Sequence, residues 1–358
     1  MNGDCQHELK GMGLKKSATD SKPQRATMID VARIAGVSFK TVSRVLNGEN
    51  SVRPETRKLV MEAAEKLDYK LNVAARSLRV GGPQIIALLV QNPSRSYVES
   101  IHLGALQRCH KTGMHLIMEE CEDGLEDAKN LIEGTSPIGV VITPPLCDDP
   151  ALIAMLDRKK IRYVLIAPKN PEKAQASINI DDEAASDEMT QYLLSLGHRR
   201  IGFIKGHSDH SVTAKRYAGY CKAMTDAGLT IDDDLVGQGE FTWASGLEAA
   251  EVMLDLEQRP TAVFASNDDM AAAVIAAAYR RNIHVPGDLS VVGFDNTQVA
   301  AVISPQLTTV NQPIIELVAE AVGMLTDQTF DSCAQTQPVF LEHRIVVRET
   351  AGPLKKQT

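Results

Sequence analysis

Residues 37–46, "VSFKTVSRVL", decide how the N-terminal part of the chain is read. At helical spacing Val42, Val45 and Leu46 form one apolar stripe that needs a core, while Phe39, Lys40, Ser43 and Arg44 lie on the opposite face. Lys40 and Arg44 stand four residues apart. Like charges at that spacing cost an isolated helix about 0.2–0.5 kcal/mol. A solvent face carrying an aromatic ring and two cations calls for something that the face can meet.

The flanking residues frame this helix. Thr27 and Asp30 make a T-x-x-D capping box ahead of "MIDVARIA", and Gly36 is the residue best able to turn the chain with positive φ. Ser38 is placed to cap the second helix, at about 39–46, which Asn47-Gly48 ends. Pro54 opens a third helix with an inner stripe of Val60, Ala63, Ala64 and Leu67. A helix, a glycine turn and a second helix with a polar outer face form a helix-turn-helix, whose second helix lies in the major groove of DNA. Guanine edges or phosphates then answer Lys40 and Arg44, and thymine methyl groups answer Phe39. Spacing alone also allows a three-helix bundle with a solvated basic face.

Charge supports the first reading once it is divided. The 358 residues carry a net charge of −8, yet residues 25–80 hold eleven Lys/Arg against six Asp/Glu. Residues 81–358 hold 23 Lys/Arg against 37 Asp/Glu. A small basic head on a large acidic body points to a polyanion partner for the head alone. The six cysteines are scattered without a C-x-x-C pair, so disulfide scaffolds and zinc clusters are not expected. His207 and His210 lack the companion ligands of a metal site. Neither metal nor cofactor is expected. No apolar signal region opens the chain, and runs such as "IIALLV" are far too short to span a membrane. A soluble protein of the reducing cytoplasm is expected.

Residues 1–24 read as a disordered leader, 25–70 as the helix-turn-helix domain, and 71–82 as a linker whose short helix is conditional. Beyond residue 83 the apolar runs "IIALLV", "GVVIT", "RYVLIA", "RIGFIKG", "TAVFAS" and "LSVVGF" alternate with helical segments. That alternation implies βαβ units and parallel sheets, in two similar halves spanning 83–350. The chain is expected to cross between halves near 180, with helix 182–196 at that point, and again within 300–335. Residues 351–358 form a tail.

Here the motifs become recognisable. "ATMIDVARIAGVSFKTVSRVLNG", "VRPETRKLVMEAAEKLDY" and "NVAARSLRVG" resemble the LacI/GalR family of bacterial transcriptional repressors, and "LGHRRIGFIKG", "RYAGY", "SNDDMA", "VVGFDN" and "LTTVNQP" extend the match over roughly residues 26–350. The resemblance implies a helix-turn-helix head, a hinge helix and a two-lobed, periplasmic-binding-protein-like effector domain. It implies base reading by Phe39, Lys40 and Arg44, with Ser38, Thr41 and Ser43 toward the phosphates, which fix register without carrying sequence information, and Thr27 also among the DNA-binding residues. The hinge, with Asn72 as its cap and Ala75, Arg76 and Leu78 following, would order on operator DNA. Leu78 would then wedge into the minor groove, the alternative being a linker leucine packed on the body. The chain departs from the family in carrying Leu71 before the hinge cap and Arg53 before Pro54.

In open α/β sheets ligands bind outside the carboxyl ends of the strands. Asn267 follows "TAVFAS", Asp295 follows "LSVVGF", and Arg216 lies in the first turns of the helix after "RIGFIKG". The family uses the matching positions for its effector, and Phe241 falls where it often sets a ring against the ligand. Asn92 and Tyr97 follow the first strand and join this set. Duller roles remain open: Asp268 as the cap of "DMAAAVIAAAYRR", Asp295 as a turn cap, Phe241 as core, and Trp243 as a second, less favoured ring. Enzyme readings fail on motifs: no dinucleotide fingerprint, Walker loop or G-x-S-x-G elbow is present. The expectation is a DNA-binding repressor acting as a homodimer. Its effector would be a mono- or oligosaccharide, with a purine-type effector as the alternative. A sugar receptor without DNA function is the reading from another class. "TAGPLKKQT" offers no apolar heptads for a tetramer bundle.

Overall fold

The computed structural model describes residues 26–46, 52–67, 69, 84–327 and 337–354. It falls into two units, 1–82 and 83–358, each described by itself. Helix α1 (Met28–Ala35) starts where the Thr27 hydroxyl accepts from the Asp30 amide at 3.3 Å and the Asp30 carboxylate accepts from the Thr27 amide at 3.0 Å. It stops at Gly36, whose φ of +66° is a conformation that a side chain would strain. Ser38 Oγ then accepts from the Thr41 amide at 3.2 Å and opens α2 (Phe39–Leu46). Helix α3 (Pro54–Lys66) begins on proline, with Arg53 giving no side-chain cap. Val31, Val42, Val45, Val60, Ala63 and Ala64 close a small core. Each fully buried valine contributes on the order of 1.5–3 kcal/mol to it.

The second unit has two lobes. In the first, β1 (Ile85–Val90), α4 (Arg95–Thr112), β2 (His115–Glu120), α5 (Leu125–Thr135), β3 (Gly139–Ile142), α6 (Pro150–Lys159), β4 (Arg162–Ile166) and β5 (Ser177–Asn179) alternate around a sheet. Strand β1 is buried at every position because helices cover both faces, hence its unbroken apolar run. Helix α7 (Asp182–Ser195) begins the second lobe. There β6 (Ile201–Lys205), α8 (Ser211–Asp226), β7 (Val236–Gln238), α9 (Trp243–Leu254), β8 (Ala262–Ala265), α10 (Asp268–Arg280), β9 (Ser290–Asp295), α11 (Gln298–Val302) and β10 (Thr308–Asn311) repeat the scheme. Helix α12 (Ile314–Thr326) returns to the first lobe against α4, so closely that a Cβ on Gly104 would lie 2.5 Å from the Ile315 carbonyl oxygen.

Two more strands complete the sheets, β11 (Val339–Phe340) in the first and β12 (Arg344–Val346) in the second. The strand orders are β11-β5-β4-β3-β1-β2 and β12-β10-β9-β8-β6-β7. All pairs are parallel except β10 with β12. The chain therefore changes lobe at 180–181, at 312–313 and again at 341–343, between β11 and β12.

Candidate functional site

In the head, Ser38, Phe39, Lys40 and Arg44 are exposed on α2, opposite buried Val42 and Val45, while Thr41 and Ser43 are half-buried. Phe39 keeps 37% of its surface open. Thr27 is exposed at the start of α1. Asn72, Ala75, Arg76 and Leu78 lie outside the described residues.

In the body, one pocket gathers the carboxyl ends of the strands. Asn92, Ser94, Tyr97, Pro144 and Ala167 line it from the first lobe, His210, Val212, Arg216, Phe241, Asn267 and Asp295 from the second, and Gln312 from a crossing segment. All six effector candidates from the sequence meet here. The space between the walls is about 20 Å³, room for one water-sized molecule.

Arg216 organises the pocket. Its Nε donates to Asp182 at 2.9 Å, Nη1 to the Ser266 carbonyl at 2.6 Å and Nη2 to Gln312 at 3.0 Å. Nη1 also lies 3.5 Å from Asp295, and the guanidinium sits 3.7 Å above the centre of the Phe294 ring. Asp182 follows the first crossing and Gln312 stands at the second, so one buried cation ties two of the three crossings to the ligand wall.

Asp295 is buried, and its Oδ1 has no hydrogen-bond partner. Burial pushes its carboxyl well above the usual carboxylate range; Arg216 opposes that rise, and Asp268 and Asp269 add to it. Burial also raises the Tyr97 hydroxyl, with a further push from Asp295. Three lining residues that are not glycine have positive φ: Ala167 (+47°), Phe241 (+59°) and Asp295 (+106°). Strain of that kind costs of the order of 1–3 kcal/mol per residue and persists where function over-determines the backbone.

The structure decides between the alternative roles. Asn267, not Asp268, caps α10 through its Oδ1, and its Nδ2 donates to the Phe241 carbonyl at 2.9 Å. Asp268 instead accepts from the Thr297 amide and from the Thr309 hydroxyl, fastening β9 and β10 to the helix. It is not the cap because a cap must precede the first helical residue, which Asp268 is. Phe241 is buried yet borders the pocket, its ring edge-on to His210 at 5.4 Å, whereas Trp243 is half exposed at the start of α9. Asp295, open to reading as a turn cap, turns its Oδ1 toward Arg216 at 3.5 Å instead, and that oxygen accepts no hydrogen bond from a turn amide. Sequence reasoning missed Asp182, His210 and Gln312. Their spacing to Arg216, 34 residues for Asp182 and 96 for Gln312, leaves no local signal.

A clamp joins the lobes beside the pocket. The Ser94 and Ser96 hydroxyls donate to the two carboxylate oxygens of Asp269 at 2.7 and 2.6 Å, across the cleft. Hydrogen bonds to a charged group contribute about 1.5–3 kcal/mol each. Asp269→Ala is expected to part the lobes in free protein, seen as a larger radius of gyration by X-ray scattering. An unchanged scattering curve would count against the clamp.

Among the described residues no helix is long and apolar enough to cross a membrane, and no group of three or more His, Cys, Asp or Glu could hold a metal ion.

A helix-turn-helix head joined to a two-lobed α/β body defines the class of DNA-binding transcriptional regulators built on a periplasmic-binding-protein-like domain. The chain belongs to the lacI family of bacterial regulatory proteins. Residues 27–72 match the description "Bacterial regulatory proteins, lacI family" and residues 190–351 "Periplasmic binding protein-like domain". The chain is 32% identical to catabolite control protein A of Priestia megaterium over 328 residues, 90% of this chain and 98% of that one. Among solved structures it resembles the transcriptional regulator CelR–cellobiose complex, with 31% identity, a TM-score of 0.68, and coverage of 91% of this chain and 100% of that one. It also resembles the lac repressor dimer bound to operator and the anti-inducer ONPF, with 26% identity, a TM-score of 0.73, and coverage of 92% and 100%.

Proposed function

We propose that the protein is a cytoplasmic transcriptional repressor that binds a pseudo-palindromic operator as a homodimer and answers to a small sugar held between its lobes. Phe39, Lys40 and Arg44 read bases, while Ser38, Thr41 and Ser43 fix the register on phosphates and Thr27 joins the DNA-binding set. Asn72, Ala75, Arg76 and Leu78 form the hinge that orders on DNA. Asn92, Tyr97, Arg216, Phe241, Asn267 and Asp295 hold the effector. The observation that carries the reading is Arg216, bonded at once to the pocket wall and to residues flanking two lobe crossings. A ligand that engages this network differently in two lobe arrangements shifts their balance, and that shift is the coupling to DNA. The CelR complex with cellobiose and the lac repressor complex with operator support the two halves of the reading.

Large apolar side chains stand exposed on helices of both lobes: Leu103 and Leu106 on α4, Val252 on α9 and Tyr279 on α10. Exposed apolar surface of this kind suits association of copies. Sedimentation at micromolar concentration is expected to give the mass of two chains; a mass of four would contradict the dimer. The functional test is operator affinity at fixed salt across a panel of sugars and nucleobases. At least one sugar is expected to change it tenfold or more, roughly 1.4 kcal/mol. A response to nucleobases alone would replace the sugar with a purine-type effector, and a chain that ignores operator at low salt would be a receptor.

A further inference from the structure

We propose that the acid cluster at the second-lobe wall of the pocket is a proton-binding site, and that the lobes part as the cluster gives up its proton. Four carboxylates gather there from three elements: Asp182 at the start of α7, Asp268 and Asp269 at the start of α10, and Asp295 at the end of β9. Asp182, Asp268 and Asp295 are buried, and Asp269 is half-buried. Among the described residues Arg216 is the one cation that ion-pairs with any of them, 2.9 Å from Asp182 and 3.5 Å from Asp295. One guanidinium does not balance four carboxylates out of water, so the cluster holds a proton while the lobes are closed.

Hydrogen bonding narrows where that proton sits. Both Asp269 oxygens accept from serine hydroxyls, and Asp182 accepts from Arg216. Asp268 has neutral donors only: the Thr297 amide at 2.7 Å, the Thr297 hydroxyl at 3.1 Å and the Thr309 hydroxyl at 2.5 Å. Asp295 has Arg216 at 3.5 Å and no hydrogen bond at Oδ1. Burial pushes both carboxyls up, Asp268 to about 7 against the pull of its threonine bonds, and neighbouring acids add to each rise. The proton therefore belongs to the pair of Asp268 and Asp295.

The pair is coupled to the lobes at two points. Asp295 lines the pocket with Tyr97 and Ala167 of the first lobe, and Asp269, beside Asp268 in the chain, carries the Ser94 and Ser96 clamp. Parting the lobes lets water reach Asp295 and takes the serines from Asp269. The closed form thus holds more protons than the open one. Its advantage is complete below the ordinary carboxylate range and is lost as pH rises through about 7. Other groups at this wall do not change charge there. Burial lowers His210 to about 4 and raises the Tyr97 hydroxyl, and a guanidinium keeps its charge throughout. His207, its ring 5.4 Å from that of His210 and 3.3 Å from Glu240, is the remaining titratable side chain nearby and serves as the control.

X-ray scattering on the full chain without effector, from about pH 5 to about pH 9, tests this. The radius of gyration of wild type is expected to rise with pH. Asp295→Asn, with a neutral group in the carboxyl's place, is expected to hold the low-pH radius throughout, and His207→Gln to respond like wild type. In infrared spectra at neutral pH, wild type is expected to show the carbonyl band of a protonated carboxyl, and Asp295→Asn a weaker one. A radius that ignores pH, or a full response kept in Asp295→Asn, would overturn the proposal. So would a response lost in His207→Gln, or no protonated-carboxyl band at neutral pH.

Discussion

Arg216→Ala is expected to abolish the effector response and to lower the melting temperature by roughly 6–15 °C, because removing one partner of a buried ion pair costs about 3–5 kcal/mol. Both carboxylates beside Arg216 are buried, and alanine would leave Asp182, Gln312 and the Ser266 carbonyl without their donor. Asp295→Asn separates binding from folding. The amide keeps the carboxyl's shape at a site where burial already favours the protonated form, so stability is expected to change little. The ligand, however, meets an amide in place of the acid. A neutral hydrogen bond contributes about 0.5–1.5 kcal/mol, equivalent to a roughly twofold to tenfold loss of effector affinity. Thermal unfolding beside calorimetry with the effector checks both variants. If Arg216→Ala unfolded and titrated like wild type, the assignment of this network would fail.

The second large effect belongs to the head. Lys40→Ala and Arg44→Ala are each expected to weaken specific DNA binding by about 1–3 kcal/mol, the range for a good base contact, with a much smaller loss on random DNA. Both side chains stand exposed on α2, which Phe39 begins, opposite the valines that fix the helix on its core. Gel shifts on operator and on unrelated duplex at one salt concentration measure the two losses. Equal losses would make these residues phosphate anchors rather than base readers.

What the sequence made legible follows from how local each signal is. The capping box at Thr27 and Asp30, the turn at Gly36 and the serine cap at Ser38 act within four residues, and each is found in the structure. Strands β1, β3, β4, β6, β8 and β9 are buried on both faces and so read as continuous apolar runs. Strand β2 lies at a sheet edge with exposed ends, and β11 has two residues that pair with Ile178 and Asn179 from far along the chain. No periodicity marks either. The same contrast holds in the pocket. Residues at strand ends could be picked from the pattern, but Asp182 and Gln312 join Arg216 only because two crossings bring them there. The clamp of Ser94 and Ser96 on Asp269 spans more than 170 residues and is invisible in sequence for the same reason.

Selection of bound DNA from a random pool tests the central claim most directly. The account predicts enrichment of two inverted half-sites, with Lys40→Ala and Arg44→Ala each relaxing preference at particular base pairs within a half-site. Recovery of a pool no different from its starting composition, or of a lone half-site without its inverted mate, would contradict a sequence-reading dimer.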